Sequence, residues 1–324
     1  MKILVTGASG FTGSHLANAL VQRGHEVYGF VRPTSSVSAL SSSVHLVQGD
    51  LANQSDVDHA IRGMDMVYHI AACYREPGVP DQMYFDVNVT GTRHVADACL
   101  KFGIKRMVHC STIGVHGHVD HPPANECSPL KPGDEYQRTK LEAEQLVRHF
   151  MQAGLPATIF RPTGIYGPGD KRFLKLFRAL KKGIFIMFGD GNALYHFIFI
   201  DDLIRGIITC GEDPRALGKT YIIAGEKAAT LNEITSTIAN IIGVKKPKWR
   251  LPFWLLWQAS VICESVCKPF RVNPPLFRRR ADFFRKNRSF DASRIRWDLQ
   301  FQPNITLEEG LKRTSDWYKA NNFI

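Results

Sequence analysis

The stretch Thr6-Gly7-Ala8-Ser9-Gly10-Phe11-Thr12-Gly13 lies between a short apolar run, Ile3–Val5, and an amphipathic helical pattern. Its glycines follow the spacing G-x-x-G-x-x-G. Glycines at such a place permit a tight turn from strand to helix. They also let the pyrophosphate of a dinucleotide approach the backbone N–H groups at the helix start. A glycine loop in this context predicts a dinucleotide-binding site. The residues expected to bind the cofactor here are Gly7, Ser9, Gly10, Phe11, Thr12 and Gly13.

Short β-branched runs alternate with helical patterns through the first half of the chain, which predicts an α/β fold: a Rossmann-type, doubly wound parallel sheet with helices on both faces. The pattern becomes basic, Trp-rich and Pro-rich after Pro168 and predicts a smaller C-terminal substrate lobe. We therefore assign 1–167 to the dinucleotide-binding domain, with 195–212 returning to it, and 168–194 and 213–324 to the lobe. The predicted strands are Ile3–Val5, Glu26–Val31, Val44–Gln48, Met66–Ile70, Met107–Cys110 and Thr158–Phe160, and the predicted helices include Ser14–Arg23, Val87–Phe102 and Glu135–Ala153.

Composition narrows the class of protein. The seven cysteines are odd in number and include no Cys-x-x-Cys pair, so a reducing compartment is expected and neither a disulfide framework nor a metal site is predicted. The N-terminus reads as a strand rather than a signal peptide, and no window approaches the ~18–20 apolar residues of a spanning helix. These features predict a cytoplasmic globular enzyme.

The end of the second predicted strand distinguishes the two nicotinamide cofactors. An NAD site usually places a carboxylate about 20 residues after the glycines, whereas NADP requires a cation. The strand here ends in Arg32 with no acid, and Ser35 or Ser36 follows. NADP is therefore predicted, with NAD as the alternative. Asp50 and Leu51 are expected at the adenine edge, although Asp50 is about equally typical of a helix N-cap.

Tyr136 is the predicted acid or base, and Lys140 is expected to place its ammonium beside it and to hold the nicotinamide ribose of the cofactor. Their i, i+4 spacing at the start of a predicted helix puts both side chains on one face. Oxidising an alcohol requires a base, and reducing a ketone requires an acid. A free tyrosine has too high a pKa for this role at neutral pH, and a nearby ammonium lowers that pKa because it favours the phenolate. A further hydroxyl that orients the substrate oxygen is expected from Ser111 or Thr112, which follow the fifth predicted strand.

Taken together, these motifs resemble the extended short-chain dehydrogenase/reductases, often called the NAD-dependent epimerase/dehydratase family. The resemblance runs from Met1 to about Tyr318. It implies a Tyr/Lys/Ser-or-Thr active site, places the catalytic hydroxyl on Thr112, adds Ala71, Ala72 and Pro162 to the cofactor site, and implies a homodimer through the helices Val87–Phe102 and Glu135–Ala153. Besides the glycine loop, the motifs are Gly49–Leu51, His69–Ala72, Asn88–Thr92, Ser111-Thr112 with Val115–Gly117, Tyr136 with Lys140, Arg161–Gly169 and Phe199–Leu203.

The chain departs from two branches of this family. Ile113-Gly114 stands where 4,6-dehydratases carry an Asp-Glu pair, which disfavours β-elimination. Tyr195-His196 stands where nucleotide-sugar epimerases usually carry an arginine, so Arg172, Tyr195 or Arg280 is expected at the substrate. A sugar or nucleotide-sugar carbon is the first candidate substrate. A hydrophobic flavonoid- or steroid-like ketone is the alternative, because the Val31-Arg32 ending resembles reductase-like members, and a non-catalytic NADP sensor is the remote third.

An apolar aromatic segment near the C-terminus, Leu251–Trp257, precedes a basic stretch. From Lys268 to Arg296 there are ten basic side chains against two acids, within a net charge of +11. A membrane surface or an anionic substrate would fit this charge, whereas nucleic acid is not expected because no reading module accompanies it. We expect the segment to pack on the core, to shield Trp254 and Trp257, and to leave the protein in the supernatant when vesicles are sedimented.

Overall fold

The computed structural model describes residues 1–74, 79–267, 275–276 and 278–324, and for 279 and 280 it describes the backbone alone. The side chain of Arg280, a predicted substrate contact, and residues 268–274 and 277 of the basic stretch therefore lie outside the described part.

Strands and helices alternate through the first half of the chain, as the sequence predicts. A π-helical segment, Asp86–Thr90, joins the helices Asp81–Phe85 and Gly91–Lys101 into one continuous helix. A 3-10 turn covers Ile113–His116. The elements are β1 (Lys2–Thr6), α1 (Phe11–Gln22), β2 (Glu26–Val31), β3 (His45–Gln48), α2 (Gln54–Ile61), β4 (Met66–His69), α3 (Asp81–Phe85), α4 (Gly91–Lys101), β5 (Arg106–Cys110), α5 (Glu135–Gln152) and β6 (Ala157–Pro162).

The second half contributes short strands and helices. Three two-stranded pairs form here, β7 with β10, β9 with β12 and β8 with β13. The elements are β7 (Gly164–Tyr166), α6 (Leu174–Lys181), β8 (Met187–Phe188), β9 (Leu194–Tyr195), β10 (Phe197–Phe199), α7 (Ile200–Glu212), β11 (Thr220–Ile223), β12 (Ala229–Thr230), α8 (Leu231–Ile242), β13 (Arg250–Leu251), α9 (Phe253–Cys267), α10 (Arg278–Ala281), α11 (Ser293–Leu299) and α12 (Leu307–Ala320).

One seven-stranded sheet with the order β11-β6-β5-β4-β1-β2-β3 organises the molecule, and every pairing in it is parallel. Along β1 the side chains alternate between two cores, with Ile3 and Val5 packing on the side of α1 and α7 and Leu4 on the side of α2, α4 and α5. The Rossmann-type fold class is confirmed. The chain order reverses between β1 and β4, where ligands of such sheets bind at the carboxyl ends of the strands.

Strand β11 differs from the sequence-based division. Residues 213–324 are assigned to the substrate lobe from sequence, yet Thr220–Ile223 pair with β6 and complete the central sheet. The four residues of β11 are all buried. A short apolar run of this kind does not show which strand it pairs with, because that partner is distant in the chain.

Helix α9 is more exposed than its sequence suggests. Only Leu256 and Ser260 are buried among its residues, and Trp254 is 62% exposed. The expectation that Trp254 is shielded is therefore wrong. Trp257 is half-buried, with the Arg285 guanidinium 4.8 Å from its ring centroid. The helix packs one narrow side on α10, which is too short to cover the rest. In the described part of the chain, none of the helices combines the length and apolar character needed to cross a bilayer.

Candidate active site

A cavity of about 780 Å³ opens at the carboxyl ends of the central strands. It lies at the reversal point between β1 and β4 and extends past α5 to the short strands of the second half. The structure brings every predicted site residue except Arg280 to its wall: Gly7, Ser9, Gly10, Phe11, Thr12, Gly13, Arg32, Asp50, Leu51, Ala71, Ala72, Ser111, Thr112, Tyr136, Lys140, Pro162, Arg172 and Tyr195.

The glycine loop forms the floor of one end of the cavity. Gly7 has a φ of +69°, and a Cβ atom there would lie 2.7 Å from the Cα of Ala71. A Cβ atom on Gly13 would lie 2.1 Å from the carbonyl oxygen of Gly7. Both positions therefore require glycine. Helix α1 begins at Phe11 with Gly10 as its N-cap, so no side chain covers the first N–H groups. This cradle fits the pyrophosphate of a dinucleotide.

A buried chain of hydrogen bonds holds Ala71 against this loop. The Thr6 hydroxyl donates to Nδ1 of His69 over 2.8 Å and accepts from the Ala71 N–H. The Nε2–H of His69 donates to Thr92 Oγ1, whose own proton goes to the carbonyl oxygen of Asn88. Burial and then the Lys140 charge lower the pKa of His69 to about 3, so the ring is neutral. Sequence reasoning found the motif residues but not this network.

The adenosine end of the cavity carries one cation. Arg32 is exposed, lines the cavity beside Ser35, and forms no ion pair with any described residue. Asp50 also lines the cavity, and its carboxylate accepts the Ala52 N–H over 2.9 Å. The N-cap of α2 is Asn53 rather than Asp50. The N-cap interpretation of Asp50 is therefore wrong, because Asn53 already satisfies the helix start.

The first turn of α5 presents Tyr136 and Lys140 to the middle of the cavity. Asp134 caps the helix by accepting the Gln137 N–H over 2.9 Å. The Lys140 ammonium donates to the carbonyl oxygen of Cys110 over 2.5 Å and is 1% exposed. Burial lowers the pKa of Lys140, and Cys110 and Glu144 oppose this shift. The Tyr136 ring is almost buried and meets Tyr74 edge-on at 5.1 Å.

The two candidate hydroxyls after β5 differ in what they bind. Ser111 is buried and donates to Glu144 Oε2 over 2.7 Å. Thr112 accepts the Gly114 N–H over 3.0 Å. An accepting hydroxyl retains its proton for another partner, whereas a donating one has used it. Thr112 therefore has a proton available at the cavity wall.

A buried ionic cluster supports the wall behind Ser111. Arg161 is 1% exposed and makes a bidentate pair with Glu144, at 2.6 and 2.9 Å. Its other nitrogen donates to Nε2 of His116 over 3.0 Å. Burial alone would raise the pKa of Glu144, but the hydrogen bonds and charge of Arg161 outweigh it and the pKa lies below the usual range. Sequence analysis missed Glu144, although an arginine inside a strand pattern signals a buried partner.

Asn88 ties the catalytic helix to the neighbouring loop. It lies in the π-helical segment and is fully buried. Its amide oxygen accepts the Cys73 N–H over 2.8 Å, and its amide nitrogen donates to Thr139 Oγ1 over 3.0 Å. Thr139 stands beside Lys140 in α5. A π-helical turn often marks a functional site, and here it turns Asn88 toward α5.

The far end of the cavity is apolar and aromatic. The Tyr195 ring stacks on Phe197 at 5.7 Å, and its hydroxyl donates to the carbonyl oxygen of Phe283 over 2.6 Å. Burial raises the pKa of Tyr195 to about 12, so its phenol stays protonated near neutral pH. Tyr195 therefore forms part of the cavity wall and does not act as an acid or base. Other apolar side chains that line the cavity are Tyr74, Met83, Ile113 and Ile165.

Two arginines line the cavity in different ways. Arg172 pairs with Asp170 over 2.7 Å and lies 5.7 Å from the Phe11 ring centroid, so it is on the nucleotide side and already has a carboxylate partner. Arg288, which the sequence analysis did not select, lies over the Tyr195 ring at 5.5 Å. Among the described residues no carboxylate lies within 4.0 Å of the Arg288 guanidinium.

A second cavity of about 600 Å³ adjoins the first. Gln137 and Arg288 line both cavities, and Trp257 of α9 lines the second. The second cavity is lined mainly by charged and polar side chains, and it extends from these shared residues toward α9.

Comparison with known proteins agrees with this arrangement. A 2-alkyl-3-oxoalkanoate reductase of Stenotrophomonas maltophilia is 31% identical, with 97% of this chain and 98% of that protein covered. The 3beta-hydroxysteroid-dehydrogenase/decarboxylase isoform 1 of Arabidopsis thaliana is 30% identical, with 98% and 80% covered. The crystal structure of UDP-glucuronic acid 4-epimerase from Bacillus cereus in complex with NAD superposes with a TM-score of 0.78 at 27% identity, with 99% of each chain covered.

Fold and relatives define an NAD(P)-dependent oxidoreductase/epimerase of the extended short-chain dehydrogenase/reductase type. Residues 3–224 match the NAD dependent epimerase/dehydratase family, and the chain belongs to that family.

Proposed function

We propose that this enzyme interconverts a secondary alcohol and a ketone on a largely apolar substrate, with Tyr136, Thr112 and Lys140 as the reacting groups. The observation that carries the proposal is the convergence of these three side chains on one cavity, whose far end is walled by Tyr195 and Phe197. The two relatives named for a 3-oxoalkanoate and a hydroxysteroid support it.

A nicotinamide cofactor held by the glycine loop and Lys140 would supply the hydride for reduction and accept it in oxidation. Thr112 donates a hydrogen bond to the substrate oxygen and orients it. The Tyr136 phenol gives a proton to that oxygen in reduction, and its phenolate takes one in oxidation. The Lys140 ammonium, held by the Cys110 carbonyl, supplies the positive charge that compensates the phenolate.

The proposed cofactor is NADP, held by the glycine loop, by Ala71 and Ala72, and at its 2′-phosphate by Arg32. A guanidinium makes a charge-assisted, bidentate contact with phosphate. Arg32 lines the cavity without a carboxylate partner among the described residues, which supports this choice. NAD remains the alternative cofactor, and the Bacillus cereus epimerase was crystallised with it.

Arg288 narrows the proposed substrate class. The Arg288 guanidinium lies over the Tyr195 ring, and no described carboxylate lies within 4.0 Å of it, so it is suited to an anionic group on the substrate. We infer an apolar molecule that carries a carboxylate, such as a 3-oxo or 3-hydroxy acid. The sugar or nucleotide-sugar substrate is the second candidate, and the epimerase likeness favours it.

The two candidates differ in net cofactor use. With NADPH in excess, a long-chain 3-oxo acid should be reduced with stoichiometric loss of NADPH absorbance. A nucleotide sugar should give an epimerised product with no net loss. Epimerisation of a UDP-sugar without turnover of any 3-oxo acid or ketosteroid would refute the redox proposal.

The Arg288 contact has its own test. Arg288→Met should raise the KM for the 3-oxo acid at least tenfold while leaving the KM for a neutral ketone of similar size unchanged. A parallel rise for both substrates would show that Arg288 shapes the pocket rather than binding an anion.

The proposal includes a cytoplasmic homodimer, as the family resemblance implies, with α4 and α5 at a two-fold interface. The exposed side of α5 carries Arg138 between Glu135 and Glu142. Light scattering at micromolar concentration should give the mass of two chains, and a monomer mass would contradict it.

A further inference from the structure

The solvent side of α9 is largely apolar, and its exposed polar side chains, Gln258 and Ser265, are uncharged. Trp254, Leu255, Ile262 and Val266 are 62%, 37%, 62% and 59% exposed. They follow one another at helical spacing on one face. The single charged residue of the helix, Glu264, pairs with Arg278 over 2.7 Å. This face therefore offers no charge to water.

The strand pair next to α9 extends this surface. Arg250 of β13 pairs with Met187 of β8, and Leu251 pairs with Phe188, which brings Trp249 beside Ile186. Leu251, Ile186, Trp249 and Ile184 are exposed, the last two by 71% and 66%. Soluble proteins rarely expose a contiguous apolar surface of this extent without a partner. The α9 patch is defined as Ile184, Ile186, Trp249, Leu251, Trp254, Leu255, Ile262 and Val266.

Exposed lysines border the α9 patch. Lys181 and Lys182 precede Ile184, and three more lysines precede Trp249, namely Lys245, Lys246 and Lys248. Among the described residues none of the five has a carboxylate within 4.0 Å. The exposed acid nearest in sequence to Lys181 and Lys182 is Asp190, and its carboxylate accepts the Asn192 N–H. The rim of the patch is therefore positively charged.

We propose that the α9 patch docks on the surface of an anionic lipid bilayer. Apolar and aromatic side chains would enter the headgroup boundary while the lysines meet the anionic headgroups, as amphipathic interfacial helices do. A second copy of this chain would carry the same lysines, so like charges would oppose that occupant. The second cavity, which Trp257 of α9 lines, shares Gln137 and Arg288 with the active-site cavity.

The test is co-sedimentation of the full chain with phosphatidylcholine vesicles, with and without phosphatidylglycerol. Binding is expected with the anionic vesicles and should weaken as salt screens the lysines. Trp254→Gln and Lys245→Glu/Lys246→Glu should each reduce the bound fraction about tenfold. Trp297→Gln is the matched control, because Trp297 is 82% exposed on α11, outside the patch.

Three results would overturn the proposal. The first is wild-type protein that stays in the supernatant with anionic vesicles. The second is an equal loss of binding in Trp254→Gln and Trp297→Gln. The third is light scattering in which Trp254→Gln converts a dimer to a monomer, since a second copy would then cover the patch. Circular dichroism of each variant checks that it is folded.

Discussion

Ser111 donates its hydroxyl proton to Glu144 across 2.7 Å, away from the reacting groups. Its neighbour Thr112 accepts the Gly114 N–H instead, so its own proton is available at the cavity wall. The two adjacent hydroxyls thus have separate roles, one in holding a buried carboxylate and the other in the proposed reaction.

Replacing each hydroxyl separates these roles. Thr112→Val should lower kcat by roughly 10²–10³-fold, the usual cost of removing a donor to the reacting oxygen. Ser111→Ala should stay within about tenfold of wild type, equivalent to 1.4 kcal/mol, because Arg161 still holds Glu144. Steady-state kinetics of the two variants decide between them, and the reverse order would assign the catalytic hydroxyl to Ser111.

Tyr136→Phe should abolish turnover while cofactor binding survives. Only the proton-transfer step uses the phenol, and such groups contribute on the order of 10²–10⁴-fold. Stopped-flow turnover and NADPH fluorescence titration measure the two quantities separately. Tyr28→Phe, at a phenol outside the cavity, is the control. Near-normal turnover in Tyr136→Phe would contradict the mechanism.

Arg32→Ala should weaken NADPH binding by roughly 1.5–3 kcal/mol, the value of a hydrogen bond to a charged group. NADH binding should not change, since it has no 2′-phosphate. Titration of both cofactors into wild type and variant tests this. Arg23→Ala is a suitable control because Arg23 pairs with Glu212 outside the cavity. Wild-type preference for NADH would refute the NADP assignment.

His116 makes the stability of the protein depend on pH. Burial, and then the Arg161 charge, lowers the pKa of His116 to about 4, whereas an unfolded histidine titrates near 6.5. Between these values the unfolded chain binds a proton that the folded chain does not. The contribution of His116 to the free energy of unfolding should therefore fall by roughly 3 kcal/mol as the pH drops from 6.5 to 4. The depressed pKa of Glu144 acts in the same direction at lower pH.

Urea unfolding at several pH values measures this dependence. His116→Gln keeps an acceptor for Arg161 but does not titrate, so its stability should vary less over that range. His149→Gln, at an exposed position of α5, should behave as wild type. If His116→Gln kept the wild-type slope, another group would be responsible.

The sequence predicted the fold because its strands are short, buried runs with a clear boundary. Glu26–Val31 is confirmed residue for residue, and the ends of β5 and β6 differ from prediction by only one or two residues. The glycine loop is equally predictable, since its steric demands are local. Pairings between distant segments are not local, which is why the place of β11 in the sheet was missed.

The site was predictable only in part. Tyr136 and Lys140 follow from spacing and from the family resemblance, whereas Arg288 approaches the cavity by pairing with the β9 edge, through a backbone bond to Leu194. Nothing in the local pattern around Arg288 indicates that edge. The exposure of Trp254 was missed for a related reason. An apolar helix normally packs on a core, and the sequence does not show that α10 is too short to cover it.

The position of β11 also has a consequence for biosynthesis. Until Thr220–Ile223 have emerged from the ribosome, β6 presents its unpaired outer edge to solvent, and such edges promote aggregation. A nascent chain passes through this state while α6, the short strands and α7 are still being translated. Fragments that end before residue 220 are therefore expected to collect in inclusion bodies, and extension to residue 223 or beyond should restore them to the soluble fraction.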